Sequence, residues 1–342
     1  MILETRLLTI ENIDEAGAII RKNGLVAFPT ETVYGLGASA YDEAAAEKIY
    51  AAKGRPSDNP LIVHVCSKEQ IEEIAKDISS DAQKLIDAFM PGPLTLILNK
   101  RECISDGVTA GLKTVAVRFP AHEAAQALIH AAGVPIAAPS ANISGKPSPT
   151  TARDVMEDMD GRIDAVIDGG NCAVGVESTI VDTTRGGVVM LRPGGVTVDM
   201  IKESVPDIKL DKNILSSLKD DEKPISPGMK YKHYAPNAEV TVVEGEEKAV
   251  QAKIKELIAE NKGRKCGVLL MYNAVYDDAV MINGGGTNAE YAHNLFSALR
   301  EFDRLGMDLV FAEFNENDGC GLAVKNRLYK SAAYNVIHVN NA

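Results

Sequence analysis

Apolar and polar positions along the chain fall into short runs that switch between a helical spacing and strict alternation. Asn12 to Lys22 carries acids in its first turn and predicts a helix, with the Asn12 side chain available as its cap. "GLVAFP" follows as a strand. "YDEAAAEKIYAAKG" is alanine-rich with early acids and a late lysine, which suits a helix dipole, and Gly54 is placed to stop it. "LIVHV" resumes as a strand. Then come a helix near Asp81 to Phe89, the strands "LTLIL" and "TVAVRF", a helix over Ala121 to Ala132 and the strand "PIAAPS". "DAVIDGG", "STIVDT" and "VVMLRPG" are short strands closed by turn residues. Strands and helices alternating through short links predict a mixed α/β sheet.

From Asp199 to about Asn237 the character changes: "DIKLDKNILSSLKDDEKPISPGMKYKHYAPNA" is charged, holds three prolines and lacks sustained periodicity, as an inter-domain linker would. Beyond it "EVTVVEG", a helix from Glu246 to Asn261, "KCGVLLMY", a helix after "GGGTNAEYA", and "DLVFAEF" predict a second, smaller Rossmann-like α/β domain. The expected division is residues 1–204, a linker over 205–237 and a C-terminal domain over 238–342. A length of 342 residues, too long for one ordinary core, agrees with two domains. "GGGTNAEYA" lacks both the G-x-G-x-x-G spacing and the Walker lysine, so it predicts a turn.

Alternation along the strands sorts the candidate chemistry. In "TVAVRF", Thr114, Ala116 and Arg118 share a face; Ile136, Ala138 and Ser140 share another strand's face, with Asn142 just beyond. Arg192 aligns with Val188 and Met190, and His64 with Ile62. Each strand ends in a polar or cationic residue before a proline or glycine turn, which predicts that these groups gather at one rim of a sheet. With Lys53 and Arg55 the set is rich in cations and hydroxyls, a better match to phosphate oxygens than to proton transfer. Each residue also has a structural alternative. Lys53 and Arg55 can complement a helix dipole, His64 can be a hydrogen-bonded core histidine, Arg118 a buried ion-pair partner, and Ser140 and Asn142 turn formers.

Composition narrows the classes. A formal net charge of −12 repels nucleic acid unless cations are gathered locally. The five cysteines are scattered, odd in number and without a C-x-x-C pair, which argues against a disulfide framework or a zinc knuckle. The first residues lack the pattern of a signal peptide, and no apolar run approaches the roughly 18 residues of a bilayer span. A cytoplasmic protein without membrane attachment is expected.

Taken in order, "FPTETVYGLG", "KGRPSDNPLIVHV", "PGPLTLIL", "VAVRFP", "APSANISGKPSPT", "ESTIVD" and "LRPG" resemble the Sua5/YrdC/YciO family. Lys53-x-Arg55 joined to Ser140-x-Asn142 is similar to that family's signature. "SPGMKYKHYAP" and "GLAVKNRLYKSAA" resemble its longer, two-domain type. The resemblance implies a YrdC-like twisted, mixed, open sheet. It implies an L-threonylcarbamoyladenylate synthase, a nucleotidyltransferase that makes threonylcarbamoyl-AMP and pyrophosphate from L-threonine, bicarbonate or CO2, and ATP. The product is passed to the tRNA threonylcarbamoyl transferase machinery, which makes N6-threonylcarbamoyladenosine.

Carried over by position, the resemblance implies a threonine site at Thr32, His64, Arg118, Ala138 and Ser178, with Arg118 forked onto the carboxylate. It implies an ATP site at Arg55, Asn59, Thr114, Ser140, Asn142, Ser148 and Arg192, and a linker tyrosine, Tyr234 or Tyr231, closing over the nucleotide. Lys53 and Arg55 are the expected catalytic pair. Mg2+ is expected with ATP, and a monomer is expected.

The chemistry suits such residues. A carbamate attacking the α-phosphorus is already an anion, so neutralisation and in-line placement matter more than a strong base. An intermediate that water destroys calls for a lid, for which the linker is the candidate. Two competing readings carry their own signatures. An RNA-binding module would use Lys53, Arg55, Arg118 and Arg192 on backbone phosphates and show a steep salt dependence. Carbamoyl transfer in hydrogenase maturation would bring cysteine pairs that this chain lacks.

Overall fold

The computed structural model describes residues 4–215, 234–316 and 319–339. These form two compact units. The first comprises the described residues up to 144, 148–173 and those from 177 to 215; the second comprises 145–147, 174–176 and those from 234 onward. Among the described residues no helix is long and apolar enough to cross a membrane.

In chain order the first unit runs β1 (Arg6–Thr9), α1 (Ile13–Arg21), β2 (Val26–Phe28), β3 (Gly35–Ser39), α2 (Glu43–Lys53), β4 (Ile62–His64) and α3 (Lys68–Ile74). It continues through β5 (Ala75–Lys76), α4 (Ser80–Phe89), β6 (Leu94–Lys100), α5 (Asp106–Thr109), β7 (Thr114–Arg118), α6 (Glu123–Ala132) and β8 (Ile136–Ala138). It closes with α7 (Ala152–Met159), β9 (Ala165–Asp168), β10 (Thr179–Asp182), β11 (Val189–Arg192), α8 (Val198–Ser204) and β12 (Lys209–Leu210). The twelve strands make one mixed sheet in the order β1-β9-β2-β3-β8-β4-β7-β6-β10-β11-β12, with β5 on β6.

Local sequence explains several boundaries. The Asp42 side chain accepts from Ala45 N at 3.0 Å and starts α2, while Gly54, at φ 61°, supplies the left-handed turn that ends it. Asn12 does not cap α1 as expected: its Oδ1 reaches back to Thr9 N at 3.1 Å, because a 3-10 turn over Ile10–Asn12 intervenes. The stretch read as linker from Asp199 begins inside α8, which Thr197 caps by accepting from Met200 N at 3.3 Å. Tyr231 and most of the expected lid lie outside the described residues.

One apolar cluster of this unit joins Ile20 of α1, Leu128 and Ile129 of α6, and Phe28, Ile136 and Ala138 on the sheet. Phe28 crosses β3 where the side chains are missing. A Cβ on Gly37 would stand 2.7 Å from Ile136 Cγ2 and 2.9 Å from Phe28 Cε1.

In the second unit β13 (Glu239–Gly245), α9 (Glu247–Glu260), β14 (Cys266–Leu270), β15 (Ala279–Asn283), α10 (Asn288–Arg304), β16 (Leu309–Phe314), α11 (Gly321–Ser331) and β17 (Val336–Val339) follow in turn. All five strands are parallel, in the order β15-β14-β16-β13-β17. Alternation had marked only β13, β14 and β16. Glu313 is fully buried on β16; its Oε2 accepts from Met271 N and Tyr272 N at 2.7 and 2.8 Å, and its Oε1 from the Tyr276 hydroxyl at 2.5 Å. Burial pushes this carboxyl above its ordinary range even so. "GGGTNAEYA" is the expected turn, and Thr287 caps α10 in a reciprocal box with Glu290.

Gly37→Ala forces Phe28 or Ile136 off its place and is expected to lower unfolding stability by about 1–3 kcal/mol, read from urea titration. An unchanged midpoint would mean that the sheet absorbs the methyl by a backbone shift.

Candidate active site

β4 and β7 run parallel, so Ile62 stands beside Ala116 and His64 beside Arg118. β6 runs antiparallel to β7 and places Thr95 beside Arg118, Ile97 beside Ala116 and Asn99 beside Thr114. Residues directly opposite share a face. One sheet face therefore has an apolar floor, in which Ile62, Ile97 and Ala116 pack with Ile180 and Leu191. His64, Arg118 and Thr95 stand at one end of that floor, and Thr114 and Asn99 at the other. Four residues of strand separate Arg118 from Thr114, about 13 Å.

β8 is antiparallel to β4, with Ile136 beside His64 and Ala138 beside Ile62. Its continuation toward Ser140 heads away from His64, toward the Thr114 end. The expectation of a single polar rim is thereby corrected to two polar ends, because strand direction decides which terminus of β8 meets His64.

At the first end, Arg118 is 3% exposed and donates from Nη1 to Thr32 Oγ1 at 2.8 Å. Its Nη2 stands 2.8 Å from Glu31 Oε1. Thr32 Oγ1 also meets Thr30 Oγ1 at 2.9 Å. Ser178 Oγ meets Thr95 Oγ1 at 2.8 Å. Arg192 donates from Nε to the Ser178 carbonyl at 3.0 Å and from Nη2 to Ser178 Oγ at 3.2 Å. Arg192, expected with the nucleotide residues, thus reaches the amino-acid set in this structure through Ser178. Ser148 Oγ donates to Glu177 Oε1 at 2.5 Å, both buried.

His64 is buried edge-on to Phe28, with ring centroids 5.7 Å apart. Burial, and then the Arg118 charge, push its pKa down to about 3, so the ring is neutral near pH 7. Burial likewise pushes the nearby Cys172 thiol up to about 12, against the pull of the Thr30 backbone and Arg118.

At the other end, Lys53 is 2% exposed. Its ammonium donates to the Ser140 carbonyl, to the Asn142 carbonyl at 2.5 Å and to Asn142 Oδ1 at 3.4 Å. It meets carbonyls where the sequence led to the expectation of phosphate oxygens. Ser140 Oγ donates to Asn142 Oδ1 at 2.5 Å, which closes the knot. Arg55 donates from Nη2 to the carbonyls of Asn59 and Pro60, both at 3.2 Å, just before β4. Asn59 is buried, and its Oδ1 has no hydrogen-bond partner among the described residues.

Tyr234 belongs to the second unit, where it is buried, stacks on Phe296 with centroids 5.2 Å apart and lies under the Arg327 guanidinium. Glu31, Thr95 and Glu177 were missed in the sequence. "TET" and "ESTIVD" contain the two glutamates, which lie outside the strands where no periodicity marks them, and Thr95 in "LTLIL" gains its meaning only from the pairing that sets it beside Arg118. Among the described residues no group of three or more His, Cys, Asp or Glu is placed to hold a metal.

The strands thus carry two polar sets toward opposite ends, one around Arg118 and one toward Thr114 and Ser140. Residues 18–194 match the Sua5/YciO/YrdC family model, described as "Telomere recombination", and residues 196–333 match one described as "Threonylcarbamoyl-AMP synthase, C-terminal domain". The chain belongs to the Sua5/YrdC/YciO family, in its two-domain form. It is 52% identical over 326 residues to the threonylcarbamoyl-AMP synthase of Pyrococcus abyssi, covering 95% of each chain. It is 47% identical over 335 residues to that of Bacillus subtilis, covering 95% of this chain and 94% of the other. The crystal structure of P. abyssi Sua5 complexed with L-threonine aligns over 99% of this chain and 100% of that one, with a TM-score of 0.92 at 49% identity.

The depressed His64 pKa makes a signed prediction. The unfolded chain binds a proton near pH 6.5 and the folded one only near 3, so stability rises with pH between these values. At about pH 5 the loss relative to neutral pH is about 2 kcal/mol from this group. Urea titrations at the two pH values should show that difference, and His64→Gln should remove it.

Proposed function

We infer that this chain is an L-threonylcarbamoyladenylate synthase, joining L-threonine, bicarbonate or CO2, and ATP into threonylcarbamoyl-AMP and pyrophosphate. The observation that carries this reading is the single sheet face with Thr32, Arg118 and Ser178 at one end and Thr114 and the Lys53–Ser140–Asn142 knot toward the other. The relatives' shared name supports the same reaction.

In this reading Arg118 takes the threonine carboxylate, Thr32 and Ser178 lend hydroxyls, and Ala138 and His64 bound the pocket as neutral walls. Arg55, Asn59, Thr114, Ser140, Asn142, Ser148 and Arg192 serve the nucleotide. The carbamate oxygen attacks the α-phosphorus in line, and pyrophosphate leaves from the opposite side. Lys53 keeps the Ser140–Asn142 turn in register and adds a buried positive charge beside the phosphates.

Mg2+ would come with ATP, its phosphate oxygens supplying ligands of the kind this ion takes. Its chemistry is neutralisation of the triphosphate, and the protein's share is orientation. The product goes on to the tRNA threonylcarbamoyl transferase machinery of the cytoplasm, and the chain acts as a monomer. An RNA-backbone surface fits the observations poorly, since Lys53, Arg118 and Arg192 are 2%, 3% and 5% exposed.

Purified chain incubated with ATP, bicarbonate and single amino acids should yield threonylcarbamoyl-AMP by mass, and only a weaker product with serine, which lacks one methyl worth roughly 1 kcal/mol. Lys53→Ala and Arg55→Ala should each cut the rate at least about tenfold. Undiminished pyrophosphate release in both variants would refute their roles.

A further inference from the structure

Glu31 sits in the turn between β2 and β3. The turn is fixed from within, since Thr30 Oγ1 accepts from Thr32 N at 3.2 Å and Val33 N at 3.3 Å and donates to the Val33 carbonyl at 2.6 Å. Its side chain is 13% exposed and stands 2.8 Å from Arg118. Yet the contact is close without being aligned. Both carboxylate oxygens of Glu31, and Nε and Nη2 of Arg118, are buried without a hydrogen bond of proper geometry. Two donors and two acceptors left unmet in one small space are costly, and native proteins rarely keep them without a reason.

The unmet groups match one ligand class. Nε and Nη2 form the edge of a guanidinium that takes a carboxylate in a fork. The two Glu31 oxygens accept from an ammonium. An α-amino acid zwitterion presents these two groups on one carbon. We propose that Glu31 is the residue that reads the α-ammonium of the substrate, so that Arg118 and Glu31 together select a zwitterion over any other carboxylic acid. This rests on the synthase reading above and extends it by a residue that the family resemblance did not supply. The other ionisable groups near Glu31 are His122, whose pKa burial lowers, and Cys172, whose thiol burial raises.

The same charge gives the reaction a direction. Ammonium and bicarbonate become carbamate, water and a proton: RNH3+ + HCO3− → RNHCOO− + H2O + H+. The nitrogen lone pair forms the N–C bond and the C–OH bond breaks. The hydroxyl leaves as water with one nitrogen proton, and a second proton passes to solvent. The group facing Glu31 thus changes from cation to anion, and attraction becomes repulsion. Glu31 holds the amine and releases the carbamate, which is then free to turn toward the Thr114 end of the floor.

The test is calorimetric binding to the full chain without ATP, using L-threonine and its 2-hydroxy analogue, in which a hydroxyl replaces the amine. Glu31→Gln is expected to weaken threonine about tenfold to a hundredfold and to leave the hydroxy acid within about twofold, with Glu31→Asp recovering part of the loss. Equal weakening of both ligands would mean that Glu31 merely shapes Arg118, and no weakening of either would mean that it is idle; both overturn the proposal. If Glu31→Gln fails to fold, the wild type decides, because a hydroxy acid that binds as tightly as threonine overturns it too. Arg118→Lys separates the levels: it should weaken both ligands, and if it weakens neither, the synthase reading of the pocket falls along with this one.

Discussion

A guanidinium at the end of a strand and 3% exposed has to be surrounded by partners, because an ionised group in a low-dielectric interior is costly unless paired and hydrogen-bonded. Arg118 meets this requirement only in part within the chain. Thr32 takes one of its donors, Glu31 supplies a charge, and the remaining donors lack aligned acceptors. The fold thus holds a cation that is electrostatically balanced and still short of hydrogen bonds. The neighbouring elements keep that condition. Phe28 and His64 pack as neutral bulk beside it, and the protonation of His64 is suppressed because a second positive charge there would be both buried and repelled.

Lys53 shows the opposite solution to the same problem. Its ammonium has three donors, and Ser140 and Asn142 offer three oxygens, so the charge is hydrogen-bonded by the backbone turn that follows β8. A lysine so placed acts on its surroundings in two ways. It fixes the turn that carries the Ser140 hydroxyl, and it brings a buried unit charge to that turn. The first is a positional effect and the second a field effect, which an anionic substrate feels without touching the nitrogen.

How much of this could be read in the sequence depends on whether the determinant is local. α2 was legible because its early acids, its alanines and the Gly54 that ends it are contiguous in the chain. β7 and β4 were legible through alternation, which also put Arg118 and Thr114 on one face. The direction of β8 was not legible, since no residue in "PIAAPS" records which neighbour it will pair with. That long-range choice separated Ser140 from His64. Glu31 escaped because its meaning comes from Arg118, 87 positions later in the chain. β15 and β17 escaped for a different reason. Both are sheet edges with mixed exposure, where the apolar alternation that marks a half-buried strand is diluted.

The glycine turn of the second unit bears on where a nucleotide can bind. Backbone amides at the start of a helix form an anion site only while they have donors to give. Here the Glu290 carboxylate already occupies that position, accepting from Gly286 N at 3.0 Å, from Thr287 N at 3.1 Å and from Thr287 Oγ1 at 3.1 Å. Gly285, at φ 114°, permits the approach, since a Cβ there would lie 2.3 Å from Glu290 Cβ. The turn therefore carries its own anion and needs no phosphate to satisfy it. In the first unit the cations are balanced by neutral oxygens around Lys53 and by a misaligned carboxylate beside Arg118. The two units thus meet the hydrogen bonds of their turns differently, the second with a carboxylate of its own and the first, beside Arg118, with a carboxylate that leaves donors over.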